Sequence, residues 1–122
     1  MSPVALVVDD SMLIRHTVCR YLEQRGFAVE SATNGMEALD MLKTVLPDVI
    51  ITDLLMPKMD GKELISTLKS MPHTAEIPVV VLAGKSSSDD DKSGANFVIF
   101  KDIAIEAQLQ KALLAALGPE AL

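Results

Sequence analysis

Residues 47–57 read Pro-Asp-Val-Ile-Ile-Thr-Asp-Leu-Leu-Met-Pro, a short apolar run from Val49 to Thr52 that follows a proline and stops at a carboxylate, Asp53. A run of this length without strict polar alternation reads as a strand buried on both faces. Similar runs stand at Val4 to Val8, Val79 to Leu82 and Phe97 to Phe100, and a more mixed one at Phe27 to Ala32. The mixed run is expected at a sheet edge, where one side meets water. Longer stretches with helical spacing separate the runs, which is the pattern of a parallel sheet covered on both faces by crossover helices.

The first of these stretches repeats Ile14, Val18 and Leu22, and Gly26 stands where a left-handed residue would stop the helix. The second opens at Asn34 with Glu37 three residues on, a start like a capping box, and carries Leu39 and Leu42 towards the core, with Pro47 beyond its end. A third runs from about Lys62 to Ser70 with Leu64, Ile65 and Leu68 inward. The last runs from about Ile103 to Leu117 with Ile105, Leu109, Leu113 and Leu117 on one face. Gly84 to Gly94 breaks the alternation: its Lys-Ser-Ser-Ser-Asp-Asp-Asp-Lys-Ser interior offers nothing apolar to bury. A helix there would gain nothing from packing, so the expectation is a loop or a single turn.

The chain has 122 residues, 49% of them hydrophobic, which is enough for one core; one domain over 1–122 is expected. Its 17 acidic residues against 11 basic ones give a net charge of −6, a poor basis for direct nucleic-acid binding. A lone cysteine, Cys19, and the lack of a signal-peptide pattern point to a reduced, cytoplasmic setting, and no apolar run is long enough for membrane insertion. His16 and His73 have no second ligand at metal-binding spacing, and Cys19 and the seven methionines read as packing residues.

Ligands of open parallel sheets collect beyond the carboxyl ends of the strands. There the sequence places Asp9 and Asp10 after the first strand, Asp53 after the third, Ala83 and Gly84 after the fourth, and Lys101 after the fifth. An aspartate before a helix is often only a cap. Three carboxylates on one rim, however, repel unless a cation sits among them, and a hard divalent ion such as Mg²⁺ takes oxygen ligands of this kind. With its neighbours neutralised, an aspartate can attack a phosphoryl group while a lysine holds the transferred charge. Asp53 and Lys101 fit those two roles. Gly84-Lys85-Ser86 looks like the end of a nucleotide-binding P-loop, but the glycine required five positions earlier is Val79.

Val-Val-Asp-Asp-Ser at 7–11, the stretch at 47–57, Met-Asp-Gly at 59–61, and Gly-Ala ahead of a strand ending at Lys101 together resemble the receiver domain of bacterial two-component response regulators, over nearly the whole chain. The resemblance implies a doubly wound, flavodoxin-like α/β fold with five parallel strands in the order 2-1-3-4-5 and, in this chain, a fourth helix that is short or absent. It implies that Asp53 is the phosphoryl acceptor and a metal ligand. Asp10 would bind Mg²⁺ directly, Asp9 mainly through water, and Leu55 through its backbone carbonyl. Lys101 would pair with Asp53 and the phosphoryl group, and Pro57 and Gly61 would shape the loop after the acceptor strand. The implied partners are a sensor histidine kinase or histidine phosphotransfer protein, and an output protein or fused effector domain. The implied role is a signalling switch rather than a metabolic enzyme.

Three positions depart from that family's pattern. Ala83 stands where a Thr or Ser usually meets the phosphoryl oxygen, and Val98 stands where an aromatic switch residue is expected, with Asp102 replacing the usual proline after the lysine. These departures keep a second reading open, a pseudo-receiver that binds partners without regard to phosphate. A phosphohydrolase or phosphomutase usually needs an acid two residues after the nucleophile, and that residue is Leu55.

Overall fold

The structure is a computed structural model that describes residues 2–54, 56, 58–84, 95–101 and 104–118. Five strands, β1 (Val4–Val8), β2 (Ala28–Ala32), β3 (Val49–Asp53), β4 (Val79–Ala83) and β5 (Phe97–Phe100), form one sheet in the order β2-β1-β3-β4-β5. Every neighbouring pair is parallel. Four helices are described: α1 (Met12–Gln24), α2 (Gly35–Met41), α3 (Gly61–Ser70) and α4 (Ile105–Leu117). The expected loop at Gly84 to Gly94, where the family has its fourth helix, lies outside the described residues except for Gly84. The label α4 therefore denotes the last helix of the chain.

Alternation along each strand divides the core in two. On one face Ala5, Val7, Val49, Ile51, Val80, Leu82 and Ile99 meet Val18, Tyr21 and Leu22 of α1 and Leu109, Ala112 and Leu113 of α4. On the other, Leu6, Val8, Ile50, Val79, Val81 and Ala83 meet Ala38 of α2, Leu42 at its end, and Leu64, Ile65 and Leu68 of α3. The three inward residues of α3 have no exposed surface. Burying each contributes roughly 1.5–3 kcal/mol, so packing sustains a 10-residue helix that would fray alone.

The strand and helix assignments hold with local corrections. β2 is an edge strand, as its mixed composition predicts, but begins at Ala28 rather than Phe27. β3 and β4 each run one residue beyond the expected strands, so Asp53 and Ala83 are the last residues of buried strands. The ladder continues because register, not polarity, sets its end: Asp53 pairs with Leu82 and Ala83 with Phe100. α2 stops at Met41, so buried Leu42 is its C-cap and Leu39 is only half-buried. Gly26 has φ 89° just past α1, the left-handed stop expected there.

Candidate functional site

The carboxyl ends of β1, β3 and β5 deliver the site residues to one rim. Asp9 follows β1 and is fully buried, Asp53 closes β3 with 6% of its surface exposed, and Asp10 is exposed. One carboxylate oxygen of each lies within 4.8 Å of the other two. Lys101, one residue past β5, extends Nζ to 2.9 Å from Asp53 Oδ2 and 3.4 Å from Asp9 Oδ2.

The remaining carboxylate oxygens are set by backbone amides. Asp53 Oδ1 accepts the Leu54 N–H at 2.8 Å, and Asp9 Oδ1 accepts the Ser11 N–H at 2.8 Å. Ser11, not an aspartate, caps α1 by accepting the Ile14 N–H. The capping alternative for Asp9 and Asp10 thus gives way to a turn in which Asp9 steers the chain into a serine cap. Arg15, one turn into α1, donates from Nη1 to the Asp9 carbonyl oxygen at 2.7 Å and braces the same turn from behind. Sequence reasoning missed Arg15; its place one turn after the Asp-Asp-Ser stretch was a weak signal for it.

Asp9 Oδ2 is buried without a hydrogen-bond partner among the described residues; its contact with Lys101 is an ion pair lacking hydrogen-bond alignment. Burial pushes the Asp9 carboxyl above the usual aspartate range. The Ser11 amide opposes that rise, the neighbouring Asp53 charge adds to it, and Lys101 offsets part of it. Burial alone would lower the Lys101 ammonium, but its hydrogen bond to Asp53 and the Asp53 and Asp9 charges outweigh burial and raise it. One ammonium shared among three carboxylates leaves the pocket net negative, and buried negative charge that is only partly compensated is costly unless a further cation neutralises it.

The donors of this group are all carboxylates, with no histidine or cysteine among them. Such a set suits a hard cation like Mg²⁺ and disfavours the softer transition metals. The residues present therefore fit the expected metal. Leu55 and Pro57, assigned to this loop from the sequence, lie outside the described residues, as does Asp102. Ala83 is 1% exposed at the end of β4, and Val98 is half-buried on the α2–α3 face of β5.

Gly61 closes the rim from below. Its N–H donates to the Leu54 carbonyl at 2.7 Å, and a Cβ there would overlap the Asp53 carbonyl oxygen. A glycine at 61 thus lets α3 start directly against the acceptor strand. Its N-cap, Asp60, accepts the Glu63 N–H and fixes that start.

Residues 5–113 match the family model of the response regulator receiver domain, and the chain belongs to that family. Response regulator MprA of Mycobacterium bovis is 36% identical over 126 residues, a match that takes in 98% of this chain and 54% of that protein. The chain spans about half the length of the curated relatives it matches. Among solved structures, the chemotaxis response regulator CheY4 of Vibrio cholerae superposes with a TM-score of 0.86 at 31% identity, covering 96% of this chain and 100% of that one. The receiver domain of a Pseudomonas aeruginosa sensor histidine kinase gives 0.87 at 20% identity over 97% and 99% of the two chains, a likeness of fold; that structure has a magnesium ion coordinated in its active site cleft.

Proposed function

We propose that this receiver domain accepts a phosphoryl group on Asp53, in a Mg²⁺-dependent reaction, from a sensor histidine kinase or histidine phosphotransfer protein, and thereby alters its affinity for an output partner. The observation that carries the reading is the clustering of the Asp9, Asp10 and Asp53 carboxylates around a single ammonium, Lys101, which is bound to Asp53 at 2.9 Å and reaches buried Asp9 Oδ2 only at 3.4 Å. Asp9, Asp10 and Asp53, with the Leu55 carbonyl, would hold the ion. When bound there, the ion supplies the positive charge that lets the carboxylates and an incoming phosphoryl group share one pocket. The magnesium in the Pseudomonas aeruginosa relative supports this choice of metal.

The chain's own residues perform the transfer by orientation and charge. The Leu54 amide and Lys101 hold the Asp53 carboxylate in one plane, so an oxygen presents a lone pair to phosphorus. The new O–P bond forms as the P–N bond of a phosphohistidine breaks, its electron pair leaving with the imidazole. Lys101 stays protonated near its partners and stabilises charge on the transferred oxygens. The domain acts as a cytoplasmic signalling acceptor rather than a metabolic enzyme.

A second reading, a partner-binding module indifferent to phosphate, draws on buried Ala83, which has no hydroxyl to offer, and on Val98, which has no ring. Intact-mass measurement after incubation with Mg²⁺ and phosphoramidate separates the two. The first reading expects one labile phosphoryl adduct, absent in Asp53→Asn and strongly reduced in Asp10→Asn. Unmodified wild-type protein, with the donor shown to be reactive on a known receiver, supports the second.

A further inference from the structure

Lys101 depends on a strand end that has no helix cap behind it. Ser11, Asn34 and Asp60 start the first three helices with side-chain hydrogen bonds, whereas α4 starts at Ala104, with φ 20° and no such bond. Gln108, from the second turn of α4, ties the helix to the strand instead. Its Oε1 accepts the Phe100 N–H at 3.0 Å, and its Nε2 donates to the Phe100 carbonyl at 2.9 Å. β5 is an edge strand, so one planar amide serves Phe100 as a neighbouring strand would.

The next residue is Lys101, whose own N–H donates to the Ala83 carbonyl at 3.0 Å. The peptide linking 100 to 101 is therefore held from both sides, by α4 through Gln108 and by β4 through Ala83. A lysine head sits on a flexible four-carbon stem, and its aim depends on a fixed root. We propose that Gln108 is a positioning residue for Lys101: by holding both backbone groups of Phe100 it fixes the strand end from which the ammonium reaches Asp53 and Asp9.

The kinetic part of this inference rests on the phosphoacceptor reading; the structural part does not. Gln108→Leu keeps the shape and removes both hydrogen bonds. In metal-free protein the Lys101 ε-methylene signal, identified by its loss in Lys101→Arg, is expected to show two inequivalent protons in wild type and averaged ones in Gln108→Leu. In phosphorylation by phosphoramidate, Gln108→Leu is expected to slow the reaction about tenfold, less than the roughly hundredfold that a 1 Å misplacement costs. The same substitution in a Lys101→Ala background is expected to cost nothing further, because its effect passes through the lysine. A merely structural role would instead slow both backgrounds equally.

An unchanged Lys101 signal in folded Gln108→Leu, or a full further loss in the Lys101→Ala background, overturns the proposal. Should Gln108→Leu not fold, Gln108→Glu retains the length and the acceptor but loses the amide donor when ionised, and carries the same two readings. Wild-type protein that takes no phosphoryl group fails the phosphoacceptor reading, and the metal-free spectra then decide this one alone.

Discussion

Gly61→Ala sets two effects of opposite sign against each other. Gly61 is the first residue of α3 and has no positive φ, so removing glycine's extra freedom in the unfolded chain should by itself stabilise by about 0.4–1 kcal/mol. An added Cβ, however, would overlap the Asp53 carbonyl oxygen and lie 2.8 Å from Leu54 Cα and 3.1 Å from the Asp53 carbonyl carbon. All three atoms are backbone of the acceptor strand or the residue after it, so no side chain can swing aside. Relief requires α3 to move away, with strain of about 1–3 kcal/mol. That movement also weakens the Gly61 to Leu54 hydrogen bond, worth about 1 kcal/mol.

The clash wins, and the net expectation is a loss of about 1–3 kcal/mol, or roughly 5–10 °C in melting temperature at the middle of that range. Thermal unfolding followed by circular dichroism measures it. Gly84→Ala is the control: nothing among the described residues lies within 4 Å of a Cβ there, and the change should stay within about 0.5 kcal/mol. Because the displaced carbonyl belongs to Asp53, Gly61→Ala should also slow phosphorylation in the fraction that remains folded. A variant as stable as wild type would refute the reasoning, since it would show that the α3 start does not press on the acceptor strand.

Asp9→Asn should raise the stability of metal-free protein at neutral pH, because Asn keeps the Oδ1 that accepts the Ser11 N–H while removing a buried charge. The folded-state pKa of Asp9 lies above its unfolded value, so its contribution is fully present below the unfolded pKa and is lost as pH rises through the raised one. Melting curves in chelator should therefore show an Asn advantage that closes as pH falls below about 4; a less stable Asp9→Asn would contradict this. Tyr21→Phe should be neutral or slightly stabilising in urea titration, because the buried Tyr21 hydroxyl has no hydrogen-bond partner among the described residues to lose. Ala83→Thr should strengthen beryllofluoride binding about ten- to a hundredfold by supplying a hydroxyl to a charged oxygen. Equal affinities would mean that another donor already serves there.

The sequence revealed most where burial is two-sided. β1, β3 and β4 carry apolar residues on both faces, and α3 turns Leu64, Ile65 and Leu68 to one side, so periodicity located them within a residue or two. Strand ends were less legible: the expected strands stop at Thr52 and Leu82, but the backbone ladder carries on through Asp53 and Ala83. The strand-end rule placed four charged residues on one rim, yet could not say that Asp9 would be buried and Asp10 exposed, because that depends on how the chain turns into α1. Contacts set by helix placement left at most a weak local signal. Gln108 reaches Phe100 only because α4 crosses β5 at a particular height, and Arg15 reaches the Asp9 carbonyl only because Ser11 starts α1 where it does.

Site mapping of the phosphoryl group decides whether Asp53 is the acceptor. Protein treated with phosphoramidate and Mg²⁺ is reduced with borohydride, which converts an aspartyl phosphate to homoserine, and the digest is read by tandem mass spectrometry. Homoserine is expected at position 53 alone, dependent on Mg²⁺ and absent when chelator replaces the metal. Conversion at another carboxylate, or none with a donor proven on a known receiver, would contradict it.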